Sequence, residues 1–96
     1  MTEPNFIAWV TSHALITGIL VGSAEVSSDN PHMITFFRHG TNTRLLAFGE
    51  GREWHRTPEA ALLSAEEMRR KKIESLKKSI ARIEAIEFVV PTNDGG

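Results

Sequence analysis

The sequence predicts an α+β domain in which a small antiparallel β-meander of three to four strands packs against one long C-terminal α-helix. Two patterns support this fold class. Residues 57–86 carry apolar side chains at intervals of three and four positions, which is the spacing of an amphipathic helix. Residues 6–48 instead contain short runs rich in Ile, Leu, Val and Phe between clusters of turn-forming residues, a pattern typical of strands joined by short loops.

Turn signals bound the predicted strands. Clusters of Ser, Asp, Asn, Pro, Gly and Thr follow the second and third runs, and a glycine inside a run marks a bend, a bulge or a close backbone approach. We therefore expect a bend at Gly18. Alternation places Ile34 and Phe36 on one face of the sheet and Phe37 on the other. The predicted strands are residues 6–10, 15–26, 33–39 and 44–48.

The segment before the helix is predicted to be a short edge strand or an extended connector, over residues 52–56. Trp54 in this segment is expected to form one core with Phe36, Leu45 and the apolar stripe of the helix. This arrangement requires the helix to lie across one face of the sheet. After the helix, residues 88–90 favour a strand and are predicted to form either a further strand or a packed tail.

The helix has a well-defined predicted start. Thr57 can accept a hydrogen bond from a free backbone N–H, Pro58 suits the first helical position, and Glu59 favours the positive end of the helix dipole. Nine apolar residues then fall on one face of the helix at about 100° per residue. These are Ala61, Leu62, Ala65, Met68, Ile73, Leu76, Ile80, Ile83 and Ile86.

Length and composition exclude several classes of protein. A chain of 96 residues has room for one domain, predicted over residues 1–90 with a disordered tail over 91–96. The net charge of −1 excludes an overall basic nucleic-acid binder, and the absence of cysteine excludes disulfides and thiolate metal sites. The N-terminus lacks the pattern of a secretory signal. No apolar run approaches the roughly 20 residues of a membrane span, so a soluble, cytoplasmic protein is expected.

Eight short segments of the chain form a recognisable set: Trp9-Val10, Ala14-Leu15, Gly18-Ile19, Gly51-Arg52-Glu53-Trp54-His55, Thr57-Pro58-Glu59-Ala60-Ala61, Ala65-Glu66-Glu67-Met68-Arg69, Lys72-Ile73 and Ser75-Leu76-Lys77-Lys78. Together they resemble small uncharacterised proteins found in bacterial genomes and prophages. The resemblance spans most of the chain and implies a bacterial or prophage origin. That family has no established activity, so the resemblance implies no catalytic residue.

The helix also carries a basic run that could contact nucleic acid, since Arg and Lys supply most contacts to phosphates. The candidate contacts are Arg69, Arg70, Lys71, Lys72, Lys77 and Lys78, with Arg38 and Arg44 of the sheet as possible additions. Acidic residues at i,i+4 spacing, as in Glu67–Lys71 and Glu74–Lys78, favour a salt-bridged exposed face instead. Trp9, Phe37 and Phe48 could stack on bases, but burial in the core is the favoured interpretation for these aromatics.

Four residues of the stripe have the 3-4-3 spacing of a coiled-coil seam, over fewer than two heptads. They are Ile73, Leu76, Ile80 and Ile83. A helix of roughly 30 residues is about 45 Å long, whereas strands of five or six residues span about 17–20 Å. Part of the stripe should therefore extend beyond the sheet, where a second copy of the chain or an unidentified bacterial protein would cover it.

No pattern in the sequence indicates an enzyme or a cofactor. The histidines His13, His32, His39 and His55 match no metal-binding spacing and are interpreted as turn and surface residues. Ser64, Ser75 and Thr57 lack the signature of a nucleophile, and the carboxylates of Glu50 and Glu53 are weak evidence for acid–base catalysis. The predicted function is a non-enzymatic protein-interaction module, possible as a homodimer through the helix stripe, with nucleic-acid binding as the alternative.

Overall fold

A computed structural model of the chain describes residues 5–93. It confirms an α+β arrangement, with five antiparallel strands in the spatial order β4-β3-β2-β1-β5 and one long C-terminal helix. The fifth strand is the segment predicted as an edge strand or connector. The elements are β1 (Phe6–Val10), α1 (Ala14–Thr17), β2 (Leu20–Val26), β3 (Met33–Arg38), β4 (Arg44–Phe48), β5 (Trp54–His55) and α2 (Pro58–Glu84).

The inner face of the curled sheet holds the hydrophobic core. Alternation along each strand sends every second side chain to this face, and Phe36 and Trp54 are the largest residues fully buried there. The Trp54 indole Nε1–H donates a hydrogen bond of 3.0 Å to the carbonyl of His32. A bridge between Glu50 and Trp54 links the end of β4 to β5. The two edges of the sheet are thereby drawn together, so the sheet encloses its own core.

Glycines permit two features of this sheet. Gly18 has a φ of +77°, a conformation that glycine adopts without steric cost, and the predicted bend is confirmed there. Gly22 lies where a Cβ atom would approach the carbonyl carbon of Phe37 to 2.8 Å, so only glycine fits. The prediction of one strand over residues 15–26 was wrong at its start, because α1 occupies Ala14–Thr17 and β2 begins at Leu20.

The start of α2 follows the sequence prediction closely. The Thr57 hydroxyl accepts a hydrogen bond of 3.1 Å from the backbone N–H of Ala60, and Pro58 begins the helix. The helix packs against the sheet as predicted, but the expectation that it lies across one whole face of the sheet was wrong. Within α2 only Ala61 is buried, and the helix packs only at its beginning, against α1, β1 and β5. The sheet closes over its own core, so it has no need of a covering helix.

The molecule is consequently elongated. Its extents are 80 × 29 × 25 Å and its Cα radius of gyration is 21.3 Å, whereas a compact chain of this length would have a radius of about 12–13 Å. Residues 88–90 form neither a strand nor a packed tail and are exposed, contrary to the prediction. The predicted disorder of the tail concerns residues 91–96, of which 94–96 lie outside the described part of the chain.

Candidate interaction surface

A buried polar contact fixes the segment that leads into α2. Thr11 and His55 are 0% and 2% exposed. The Thr11 hydroxyl donates to the carbonyl of Arg52 at 3.1 Å and lies 2.9 Å from Nε2 of His55. A hydroxyl has one proton to donate, and the Thr11 hydroxyl gives it to the Arg52 carbonyl. In this arrangement the N–H at Nε2 of His55 donates to the Thr11 hydroxyl oxygen. The backbone N–H of Thr11 also donates to the carbonyl of Glu53 at 2.9 Å.

The environment of His55 favours its neutral form. Burial lowers the pKa of the His55 imidazole below its ordinary value, and the nearby Glu50 carboxylate opposes this change in part. The prediction that all four histidines lie in turns or on the surface was therefore wrong for His55, which belongs to β5 and is buried. Sequence alone gave no signal for this burial, because the strand has only two residues.

Arg56 contacts the segment before α2 from its solvent-exposed side. Its guanidinium lies 4.2 Å from the ring centroid of Phe6 and 5.4 Å from that of Trp54, within the range of cation–π contacts. Its Nε donates to the Glu50 carboxylate at 3.0 Å. Glu53 accepts a hydrogen bond from the backbone N–H of Phe48. Both carboxylates that were weighed for catalysis thus have structural contacts.

Beyond these contacts α2 extends into solvent, and residues 69–93 are all exposed. We call Ile73, Leu76, Ile80 and Ile83 the helix seam. These side chains are between 45% and 65% exposed, although the preceding stripe residues Ala65 and Met68 are half-buried. The predicted extension of the stripe beyond the sheet is confirmed. Its role as a protein interface stays a prediction.

A cleft lies between α1 and the first turns of α2. Its volume is about 260 Å³, and Leu15, Ile19, Leu62 and Arg69 are among its lining residues. At 100° per residue, Leu62 and Arg69 project from the same side of α2 as the helix seam. The seam and the cleft therefore form one continuous surface along the helix. The sequence prediction missed the cleft because it assigned α1 to a strand.

The basic run is partly neutralised within its own helix. Arg70 forms ion pairs with Glu67 and with Glu74 at 3.1 Å, and Lys71 lies 3.8 Å from Glu67. The hydrogen bond from Arg70 lowers the pKa of Glu67. The Glu67–Lys71 pair is confirmed, whereas Glu74 pairs with Arg70 rather than with Lys78. Across residues 5–93, four basic residues of the run form no ion pair: Arg69, Lys72, Lys77 and Lys78.

The outer face of the sheet is more apolar than expected. Phe37 and Phe48 are 40% and 48% exposed, so their predicted burial in the core was wrong. Leu46 is also exposed on this face, while Trp9 is half-buried. The inner face is filled by the smaller Ala8, Ala24 and Ala47 together with Phe36 and Trp54. The core is too small to bury Phe37 and Phe48 as well.

Residues 5–93 contain neither a metal-binding cluster nor a membrane-spanning helix. No group of three His, Asp or Glu side chains in this range could hold a metal ion. No helix in the same range is long and apolar enough to cross a membrane.

Comparison with known proteins found no matching family model, curated protein or solved structure. The bacterial or prophage origin implied by the sequence resemblance stays a prediction. The exposed helix with its seam and cleft is the candidate interaction surface of this chain.

Proposed function

We propose that this protein is a small, non-enzymatic, cytoplasmic interaction module of bacterial or prophage origin that forms a homodimer through the helix seam. The observation that supports this proposal is the exposure of four large aliphatic residues at coiled-coil spacing on a helix that extends away from its own domain. An apolar stripe of this kind marks an interaction surface when the fold that carries it leaves it uncovered.

Burial of the helix seam contributes about as much free energy as association costs. Complete burial of an aliphatic side chain stabilises by about 1.5–3 kcal/mol, so burial of the exposed half of one seam residue contributes about 1 kcal/mol. The four seam residues of two chains together contribute on the order of 8 kcal/mol. Association costs about 4–15 kcal/mol in lost freedom of motion. The seam alone is close to balance, and further contacts would decide the affinity.

Nucleic-acid binding is the second candidate, and the exposed Phe37 beside Arg44 in the neighbouring strand favours it. The ion pairs of Arg70 and Lys71 with acids on the same helix count against a role for those two residues. This candidate predicts binding that weakens steeply with salt. It also predicts loss of binding when Arg69, Lys72 and Lys78 are replaced together by Glu.

The test of self-association is the solution mass of the full chain over a concentration series, by light scattering at low and high salt. We expect a dimer that persists at high salt, because apolar contacts are not screened. The variant Ile80→Asp/Ile83→Asp should be a monomer, since both side chains are exposed. Its sheet should remain folded, which an unchanged tryptophan fluorescence spectrum would show because Trp9 and Trp54 both lie in strands.

The matched control is Leu63→Asp. Leu63 is 69% exposed on the same helix but projects about 100° or more away from the seam, so this variant should still form the dimer. A wild-type chain that stays monomeric at every concentration would overturn homodimerisation. Binding of a different protein through the seam would then support an interaction module without self-association. Salt-sensitive binding of an RNA oligonucleotide would support the nucleic-acid candidate.

A further inference from the structure

We infer that two copies associate antiparallel along the helix seam, and that the C-terminal segment of each copy, residues 86–90, occupies the cleft between α1 and α2 of the other. This inference rests on the proposed homodimer and adds its orientation and a second contact. Two independent features of the chain carry it: the distribution of charge along the seam, and the position of an exposed apolar segment relative to the cleft.

Charge along the seam is asymmetric. Arg69 and Lys72 precede the helix seam in the sequence, and Glu84 and Glu87 follow it. All four side chains are exposed, and none of them forms an ion pair with another residue in the described range 5–93. An antiparallel pair places the basic end of each copy beside the acidic end of the other, which satisfies both ends at once.

The register follows from the apolar residues. An antiparallel seam that packs Ile73 against Ile83 of the second copy also packs Leu76 against Ile80 of that copy, which keeps all four apolar layers filled. In the same register Arg69 lies about 6 Å before Ile73 and Glu87 lies about 10 Å beyond Ile83 of the second copy, so these two long side chains can meet. The symmetry of the pair repeats this contact, so each dimer contains two such charge pairs.

A parallel pair would place identical residues side by side. Arg69 would face Arg69 of the second copy, and Glu87 would face Glu87 of that copy. Like charges in register are unfavourable. The parallel pair would also leave the segment after the helix far from the cleft, because both copies of the segment would lie at the end remote from the sheets.

The segment after the helix is strongly apolar and uncovered. Phe88 is 91% exposed, and Val89 and Val90 are each 83% exposed. A soluble domain seldom leaves three such residues in water without a partner. The cleft supplies apolar walls from Leu15, Ile19 and Leu62, among others, and a volume of about 260 Å³. The cleft is therefore roomy enough for one or two large side chains.

Distances along the helix agree with this occupant. In the antiparallel register, the level of Leu62 lies about 16 Å beyond Ile73 at 1.5 Å per residue. α2 ends at Glu84 and Ala85 caps it in a helical conformation, so the chain advances about 3 Å from Ile83 to Ala85. The three positions from Ala85 to Phe88 add about 10 Å in an extended conformation. Phe88 of one copy therefore reaches the level of Ala65 of the other, one helical turn from Leu62, and both of these residues line the cleft. The acidic Glu87 passes Arg69, which lies at the rim of the cleft, on the way.

The first test is a charge exchange, with the dimer dissociation constant measured by sedimentation equilibrium at low salt. Arg69→Glu and Glu87→Arg should each weaken the dimer about 5- to 30-fold, because two exposed charge pairs become repulsive. The double variant should return to within about 3-fold of the wild type. A parallel dimer would show no loss in either single variant, since like charges face each other before and after the change, and would overturn the orientation.

The second test uses the absence of cysteine from the chain. A Leu62→Cys chain mixed with a Phe88→Cys chain should give a disulfide-linked heterodimer under mild oxidation. The matched control mixes Phe88→Cys with Leu63→Cys, whose side chain lies on the other side of α2 and does not line the cleft. Equal linkage in both mixtures, or none in either, would overturn occupation of the cleft.

The two proposals fail in different ways. A wild-type chain that is monomeric at every concentration overturns the homodimer and with it this inference. A stable dimer that ignores the charge exchange, or that links Phe88→Cys no better to Leu62→Cys than to Leu63→Cys, overturns the inference alone. Mixing Ile73→Cys with Ile83→Cys checks the register directly: heterodimeric linkage supports the antiparallel pair, and exclusively homodimeric linkage contradicts it.

Discussion

Replacement of Thr11 by Val tests whether the buried polar contact with His55 holds the strand that leads into α2. Valine keeps the branched shape of threonine and removes only the hydroxyl. That hydroxyl donates to the carbonyl of Arg52 at 3.1 Å and lies 2.9 Å from Nε2 of His55. In the variant, the imidazole N–H loses its acceptor in a site from which water is excluded, and the carbonyl loses a donor.

The magnitude follows from these two losses. A buried donor left without a partner costs about 1–3 kcal/mol, and the loss of the second hydrogen bond costs about 0.5–1.5 kcal/mol. We expect the free energy of unfolding to fall by about 2–3 kcal/mol, a large part of the 5–15 kcal/mol that stabilises a typical domain. For a domain of this size each kcal/mol corresponds to about 4–8 °C. The melting temperature should therefore fall by at least roughly 8 °C.

The assay is urea unfolding followed by tryptophan fluorescence, at one fixed protein concentration for all variants. Thr17→Val is the matched control, because the Thr17 hydroxyl also donates to backbone carbonyls but is exposed. Water replaces those hydrogen bonds, so this control should lose less than about 0.5 kcal/mol. If Thr11→Val and Thr17→Val are equally stable within about 0.5 kcal/mol, the buried contact does not stabilise the fold and the reasoning is refuted.

Two further predictions concern the sheet and its pH dependence. Gly22→Ala should reduce the free energy of unfolding by about 1–3 kcal/mol or prevent folding, because the added Cβ would lie 2.8 Å from the carbonyl carbon of Phe37. Gly40→Ala is the control for backbone strain alone. Its added Cβ meets no atom within 4 Å, but Gly40 has a φ of +76°. Because burial holds the pKa of His55 below its ordinary value of 6.5, the unfolded chain binds a proton first as pH falls, so stability is complete above pH 6.5 and decreases as pH drops below it. His55→Gln, which retains an N–H for Thr11, should lack this decrease in a melting series from pH 8 to pH 5, and an identical decrease in both proteins would rule out His55 as its source.

Local patterns in the sequence predicted several parts of the fold correctly. The helix start at Thr57 and Pro58 depends on hydrogen bonds within four residues, and the alternation of Phe36 and Phe37 between two faces depends only on strand geometry. The bend at Gly18 likewise follows from the conformational freedom of one residue. The extension of α2 beyond the sheet followed from comparing element lengths.

These local patterns could not predict contacts between segments that are far apart in the sequence. The sheet curls until Trp54 donates to the carbonyl of His32, 22 positions away, and this closure decides that the helix does not cover the inner face. Phe37 and Phe48 remain exposed because the small inner space is already filled. Thr11 and His55, 44 positions apart, meet only because β1 pairs with β5.

The candidate surface shows the same division. Sequence alone determined that residues 73–83 carry apolar side chains at coiled-coil spacing, because helical periodicity is a local property of the chain. Sequence alone could not decide whether the sheet covers that seam, nor that α1 and α2 enclose a cleft on the same side of the helix. Those features depend on how a closed sheet orients the first turns of α2, and only the tertiary structure fixes that orientation.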